Sequence, residues 1–150
     1  MKTRLTTTAV CALAALAVAA PAEAKTYKGK TRSGSSISFK ANGSKVSNLK
    51  TLVPASCIST QSSTPKAGGE LFQPPGSFRF GQETKAKQLQ PAAMNQGIKA
   101  TKNYRVTVNR KANGTITGKL HVNFSFLTPG YDIYTSVIWI CQGDDRFTVR

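Results

Sequence analysis

The chain has 150 residues, 21 Lys+Arg against 6 Asp+Glu, one His, three Cys and 39% apolar residues. That length suits one domain, and the apolar content is too high for a wholly disordered chain. One histidine and six carboxylates leave little material for acid–base or metal chemistry.

Residues 1–24 read as a secretory signal. Lys2 and Arg4 form a positive start, residues 9–20 are an unbroken apolar run of 12, Pro21 breaks it, and Ala22-Glu23-Ala24 supplies the small-x-small cleavage pattern. A membrane span needs roughly 20 apolar residues, so cleavage after Ala24 and secretion are expected, with residues 25–150 as a single domain. Removing residues 1–24 leaves 19 cations against 5 carboxylates, and two cysteines, Cys57 and Cys141. In an oxidising compartment two such cysteines pair, so a structural disulfide is expected.

The remaining chain alternates apolar and polar residues between glycine-rich turns. Residues 26–30 form a first strand with Lys28 and Lys30 on one side, and Arg32-Ser33-Gly34-Ser35 turns the chain. Ile37 and Phe39 share one face of a second strand, and Asn42-Gly43 is a hairpin turn because both residues tolerate positive φ. Residues 46–53 continue as a third strand, stopped by Pro54. Residues 59–77, rich in Ser, Thr, Pro and Gly, and residues 81–103, rich in Lys and Gln, read as two long loops. The second contains residues 91–96, a short helical stretch with Pro first and Gly97 as its stop.

Regular alternation then returns. Tyr104, Val106 and Val108 share a face, and Asn113-Gly114 turns the chain. Ile116, Gly118, Leu120, Val122, Phe124 and Phe126 form the dry side of a long strand whose wet side carries His121. Ile133, Val137, Trp139 and Cys141 share one parity of the next strand. Gly143 and an Asp144-Asp145 turn precede a short final strand, residues 146–149. The pattern predicts an all-β fold: an antiparallel β-sandwich of about seven or eight short strands with two long loops and one disulfide.

Tyr27-Lys28-Gly29-Lys30-Thr31, Gly34, Ile37-Ser38-Phe39, Lys45-Val46 and Cys57 resemble the first half of small secreted proteins of high-GC Gram-positive bacteria. Thr115-Ile116-Thr117-Gly118-Lys119-Leu120 and the ending Cys141-x-Gly143-x-x-Arg146-Phe147-x-Val149-Arg150 are similar to the same group. The resemblance implies a compact β-sandwich and assigns no activity or site residue.

Catalytic constellations are missing from the pattern. A serine triad needs a histidine with a nucleophile and an orienting carboxylate, yet His121 sits on a polar strand face without a G-x-S-x-G motif. No His/Cys/Asp cluster has metal-ligand spacing. A non-enzymatic protein without cofactor is expected. The basic excess attracts polyanions, and an exported protein meets anionic cell-wall polymer or an acidic membrane surface, not nucleic acid. Lys28, Lys30, Arg32, Lys85 and Lys87 are the candidate ligand-binding cations, and Tyr131 and Tyr134 a candidate stacking platform. A monomeric, basic envelope-binding module is the first expectation. A protein-interaction or inhibitor domain presenting the two long loops is the alternative. Residues 137–140 are apolar on both parities, so Ile138 and Ile140 either form an interaction patch or are covered by residues 81–103 through Leu89, Met94 and Ile98.

Overall fold

The computed structural model describes residues 23–89, 101–128 and 136–150. Residues 1–22 of the expected leader, the expected helical stretch at 91–96, Met94, Ile98, Tyr131 and Tyr134 lie outside the described residues. Among the described residues nine strands follow in chain order: β1 (Lys25–Lys30), β2 (Ser36–Asn42), β3 (Lys45–Ser59), β4 (Ser62–Phe72), β5 (Ser77–Arg79), β6 (Glu83–Leu89), β7 (Thr101–Arg110), β8 (Ile116–Thr128) and β9 (Val137–Val149). Every pairing between them is antiparallel. The order is β1-β2-β3-β9-β8-β7-β6, with β4 and β5 also paired to β3.

β3 holds this arrangement together because it changes partners along its length. Its first residues pair with β2 and β5, and from Thr51 onward it pairs with β4 and then β9. The change falls at Asn48, whose φ of 52° is left-handed, a conformation asparagine tolerates because its short polar side chain bonds locally. A register shift between Ser38 and Lys40 adds a bend on β2. The β1–β2 end therefore curls back over β9. Thr31 bridges Phe147, and the Phe39 and Phe147 rings meet at 5.6 Å. Between them lies one core, with Ile37, Phe39, Val46, Leu49, Val106, Val108, Ile116, Leu120 and Val122 almost wholly buried. At Gly118 any Cβ would fall inside the Phe147 ring, so only glycine lets β8 and β9 approach there.

The alternating strands are found as the pattern requires, and Asn42-Gly43 and Asn113-Gly114 are turns with Gly43 and Gly114 at positive φ. Three expectations are corrected. Pro54 does not stop β3, because it sits where pairing to β9 has not begun; the first pair is Ala55 with Gly143. The first expected long loop is largely strand, since β4 lies within residues 59–77, and the described part of residues 81–103 holds β6 and the start of β7. β4 escapes the alternation rule because residues 62–69 are exposed on both faces. The Asp144-Asp145 turn is instead the middle of β9, with Asp144 exposed and Asp145 buried.

Cys57 and Cys141 are cross-strand partners of β3 and β9 and are joined by a disulfide across 84 residues.

Candidate functional site

Lys28 and Lys30 stand exposed on the outer face of β1, since Tyr27 and Gly29 take the inner side. Their cross-strand partners on β2 are Ser38 and Ser36. Ser38 in turn pairs with Lys50 of β3, so Lys28, Ser38 and Lys50 form one row across three strands. Lys40, also exposed, stands beside it in register with Thr26 and Ser47. From Lys25 to Gly69 the chain has eight Lys or Arg and no Asp or Glu, so nothing on these strands neutralises the row. A shallow groove of about 500 Å³ runs between Lys28 and Lys50 and ends at the exposed Leu52 and Leu71.

The described carboxylates of the later strands are each engaged. Glu70 pairs with Lys102, Glu83 with Arg105 at 3.6 Å, and Asp144 with His121 Nδ1 at 2.8 Å. Asp145 accepts 2.5 and 3.3 Å hydrogen bonds from the Ser33 hydroxyl and amide, and one at 2.8 Å from the Arg146 amide. Burial alone would raise its pKa. The hydrogen bonds from Ser33, Thr31 and the Arg146 amide outweigh burial and hold the carboxyl below its ordinary value. The stabilisation is therefore complete above the ordinary carboxylate pKa and is lost as pH falls through the lowered native value. Replacing Asp145 with Ala is expected to cost about 1.5–3 kcal/mol at neutral pH, the range for a hydrogen bond to a charged group. Denaturant midpoints of both proteins from neutral pH to pH 2 check this, the difference shrinking toward the acid end.

The other sequence candidates separate. Arg32 lines a different groove from Lys28 and Lys50, of about 490 Å³, with Arg105, Lys119 and Arg146. That groove also holds Glu83, Asp144 and Asp145, which nearly balance its cations. Lys85 and Lys87 are exposed on β6, at the far end of the strand order from β1. They do not join Lys28 and Lys30. The His121–Asp144 pair opens onto the same polar groove, whose one lining hydroxyl, Thr107, stands opposite Lys119 and not His121. Among the described residues no group of three His, Cys, Asp or Glu side chains is placed to hold a metal ion.

Ile138 and Ile140 are 43% and 57% exposed, and Ile58 of β3 joins them as the cross-strand partner of Ile140. Leu89 is itself 70% exposed at the end of β6, and the other two residues of the expected cover, Met94 and Ile98, lie outside the described residues.

A third concavity is of another kind. At one end of the inner face Phe124, Phe126 and Trp139 stand in a nearly parallel row, with centroids 6.3 and 6.1 Å apart. They line a cup of about 520 Å³ between β4, β3, β9 and β8. Phe72, on the same face of β4 as the cup-lining Glu70, meets Tyr104 edge-on at 5.1 Å. Burial, with the Glu70 carboxylate nearby, pushes the Tyr104 phenol up to about 12, so it stays neutral and donates to Gln88 Oε1 at 2.9 Å. Parity could place these aromatics inward, but not show that the space before them is empty. Comparison with protein-family models, characterised proteins and solved structures finds no match to this chain.

Proposed function

We propose that this chain is an exported, non-enzymatic binding module that associates with an anionic cell-envelope polymer through the lysine face of β1, β2 and β3. The observation that carries the reading is the row Lys28–Ser38–Lys50 with Lys30 and Lys40 beside it, on strands without one carboxylate. Like charges gathered on one face repel one another, and a polyanion relieves that cost. Serines between the lysines offer hydroxyl donors to phosphate or carboxylate oxygens. The leader-like start and the disulfide support export, because disulfides persist in oxidising compartments. The other cation groove suits a polyanion less, since its own carboxylates occupy it.

A second reading, an acidic phospholipid surface, is favoured by Leu52 and Leu71 at the end of the lysine groove. The inhibitor alternative has less loop to present at residues 59–77, most of which are β4 paired to β3; much of its other segment, residues 81–103, lies outside the described residues.

Changing Lys28, Lys30, Lys40 and Lys50 together to Gln tests the proposal. At about 1 kcal/mol per lysine near an anionic surface, affinity for purified wall polymer is expected to fall on the order of 100- to 1,000-fold at low salt. Stability should change by less than about 0.5 kcal/mol per site. A Lys111→Gln, Lys119→Gln control should bind nearly as the parent does. Equal loss in both variants would show that the charge acts as a diffuse cloud. Retention on anionic vesicles but not on polymer would favour the lipid reading.

A further inference from the structure

The inner face of the curved sheet runs from filled to empty. Along β8, Ile116, Leu120 and Val122 are buried in the core, Phe124 is nearly so, and Phe126 is only half-buried. Opposite, on β4, the inward positions run Phe72, Glu70, Gly68, Lys66. Gly68 is paired with Ala55, and a Cβ added there would meet nothing within 4 Å. A missing side chain on one wall and three aromatic rings on the other make the cup. Its remaining wall is Ala55 and the Cys57–Cys141 disulfide. The volume falls within the range of small-molecule sites.

The charges at the rim decide what fits. Glu70 is committed to Lys102, whose ammonium lies 5.7 Å from the Phe124 centroid. Lys66 Nζ lies 5.0 Å from the Trp139 centroid, and no carboxylate among the described residues pairs with it. The Trp139 indole N–H already donates to Thr128 Oγ1 at 3.0 Å, so the ring offers apolar surface and no free donor. Among the described residues the rim therefore carries one cation without a carboxylate partner, and the wall has few groups to recognise a hydroxyl-rich ligand.

We propose that this cup binds a small amphipathic anion. An apolar body of ring or short-chain size lies against Phe124, Phe126 and Trp139, and a single acidic head pairs with Lys66. The ammonium exchanges its contact with the indole face for the acid, so charge recognition costs no buried ion. This site is separate from the lysine face, which lies on β1, β2 and the first part of β3.

Two fluorescent probes test it on the mature, oxidised protein: 8-anilinonaphthalene-1-sulfonate, an aromatic anion, and N-phenyl-1-naphthylamine, its neutral counterpart. Trp139 is the one tryptophan of the chain, so energy transfer from it reports binding in the cup. The expected result is one saturable site with transfer from Trp139 for both probes. Gly68→Leu, which fills the cup, should weaken both at least tenfold. Lys66→Gln should weaken the anion about five- to tenfold and leave the neutral probe within twofold. Ile140→Ser, on the exposed isoleucine patch, should change neither. The proposal is overturned if folded Gly68→Leu binds both probes as the parent does, if Lys66→Gln affects both alike or neither, or if Ile140→Ser removes the signal. Should Gly68→Leu fail to fold, the comparison of the two probes on Lys66→Gln decides.

Discussion

Replacing Cys57 and Cys141 with Ser is expected to lower unfolding stability by about 4–5 kcal/mol, by the chain-entropy relation for so long a loop. The disulfide closes 84 residues of sequence separation, which encompass β4 to β8. Without it the unfolded chain regains the freedom of that loop. The native state also suffers locally, since Cys141 is 1% exposed and a serine hydroxyl there enters the core. Denaturant midpoints of the variant, and of the parent under reducing conditions, should fall together. A loss under about 1 kcal/mol in both would mean that strand pairing alone holds β3 to β9.

Phe72→Ala carries the second large effect, about 3–5 kcal/mol. Phe72 is wholly buried, whereas the rest of β4 is exposed or half-buried. Its ring meets Tyr104 edge to face, an arrangement that adds to the simple burial of area. Together with the Glu70–Lys102 pair it is what ties β4 across to β7. The expected loss is therefore uneven. Hydrogen exchange should show β4 amides near unprotected rates while β8 and β9 amides keep their protection. Uniform loss over all strands would show that Phe72 supports the core as a whole and not the β4 wall.

Much of this architecture was legible in the alternation of apolar residues. The even positions of β8 and the pair Ile37 and Phe39 of β2 turn inward because one sheet face must be dry, and a period of two follows from that alone. β4 carries no such mark, since a strand wet on both faces has nothing to alternate, and its Ser, Thr, Gly and Pro spell a loop. β9 was broken at Gly143-Asp144-Asp145 because those residues are turn-formers in isolation. What keeps them extended is distant in sequence: a Cβ at Gly143 would crowd the Pro54 carbonyl, and Asp145 receives the Ser33 turn from 112 residues away.

The candidate lysine face was half legible for the same reason. Lys28 and Lys30 lie on one strand and alternate visibly. Lys50 joins them only because β2 places Ser38 between β1 and β3, and that depends on pairing register. Lys85 and Lys87 share the charge and the spacing, but the strand order puts them elsewhere. The cup was hidden more deeply. Its aromatic wall follows from parity, but its emptiness depends on Gly68 facing that wall across the curved sheet.

Covalent footprinting tests the lysine face most directly. The parent protein is acetylated briefly at low salt, with and without purified anionic wall polymer, and each lysine is read by mass spectrometry. Lys28, Lys30, Lys40 and Lys50 are expected to lose most of their reactivity when polymer is bound, and to regain it at high salt as screening shortens the reach of each charge. Lys85, Lys87 and Lys111 should react as before. Protection centred on Lys85 and Lys87, or spread evenly over all lysines, would contradict the assignment of binding to β1, β2 and β3.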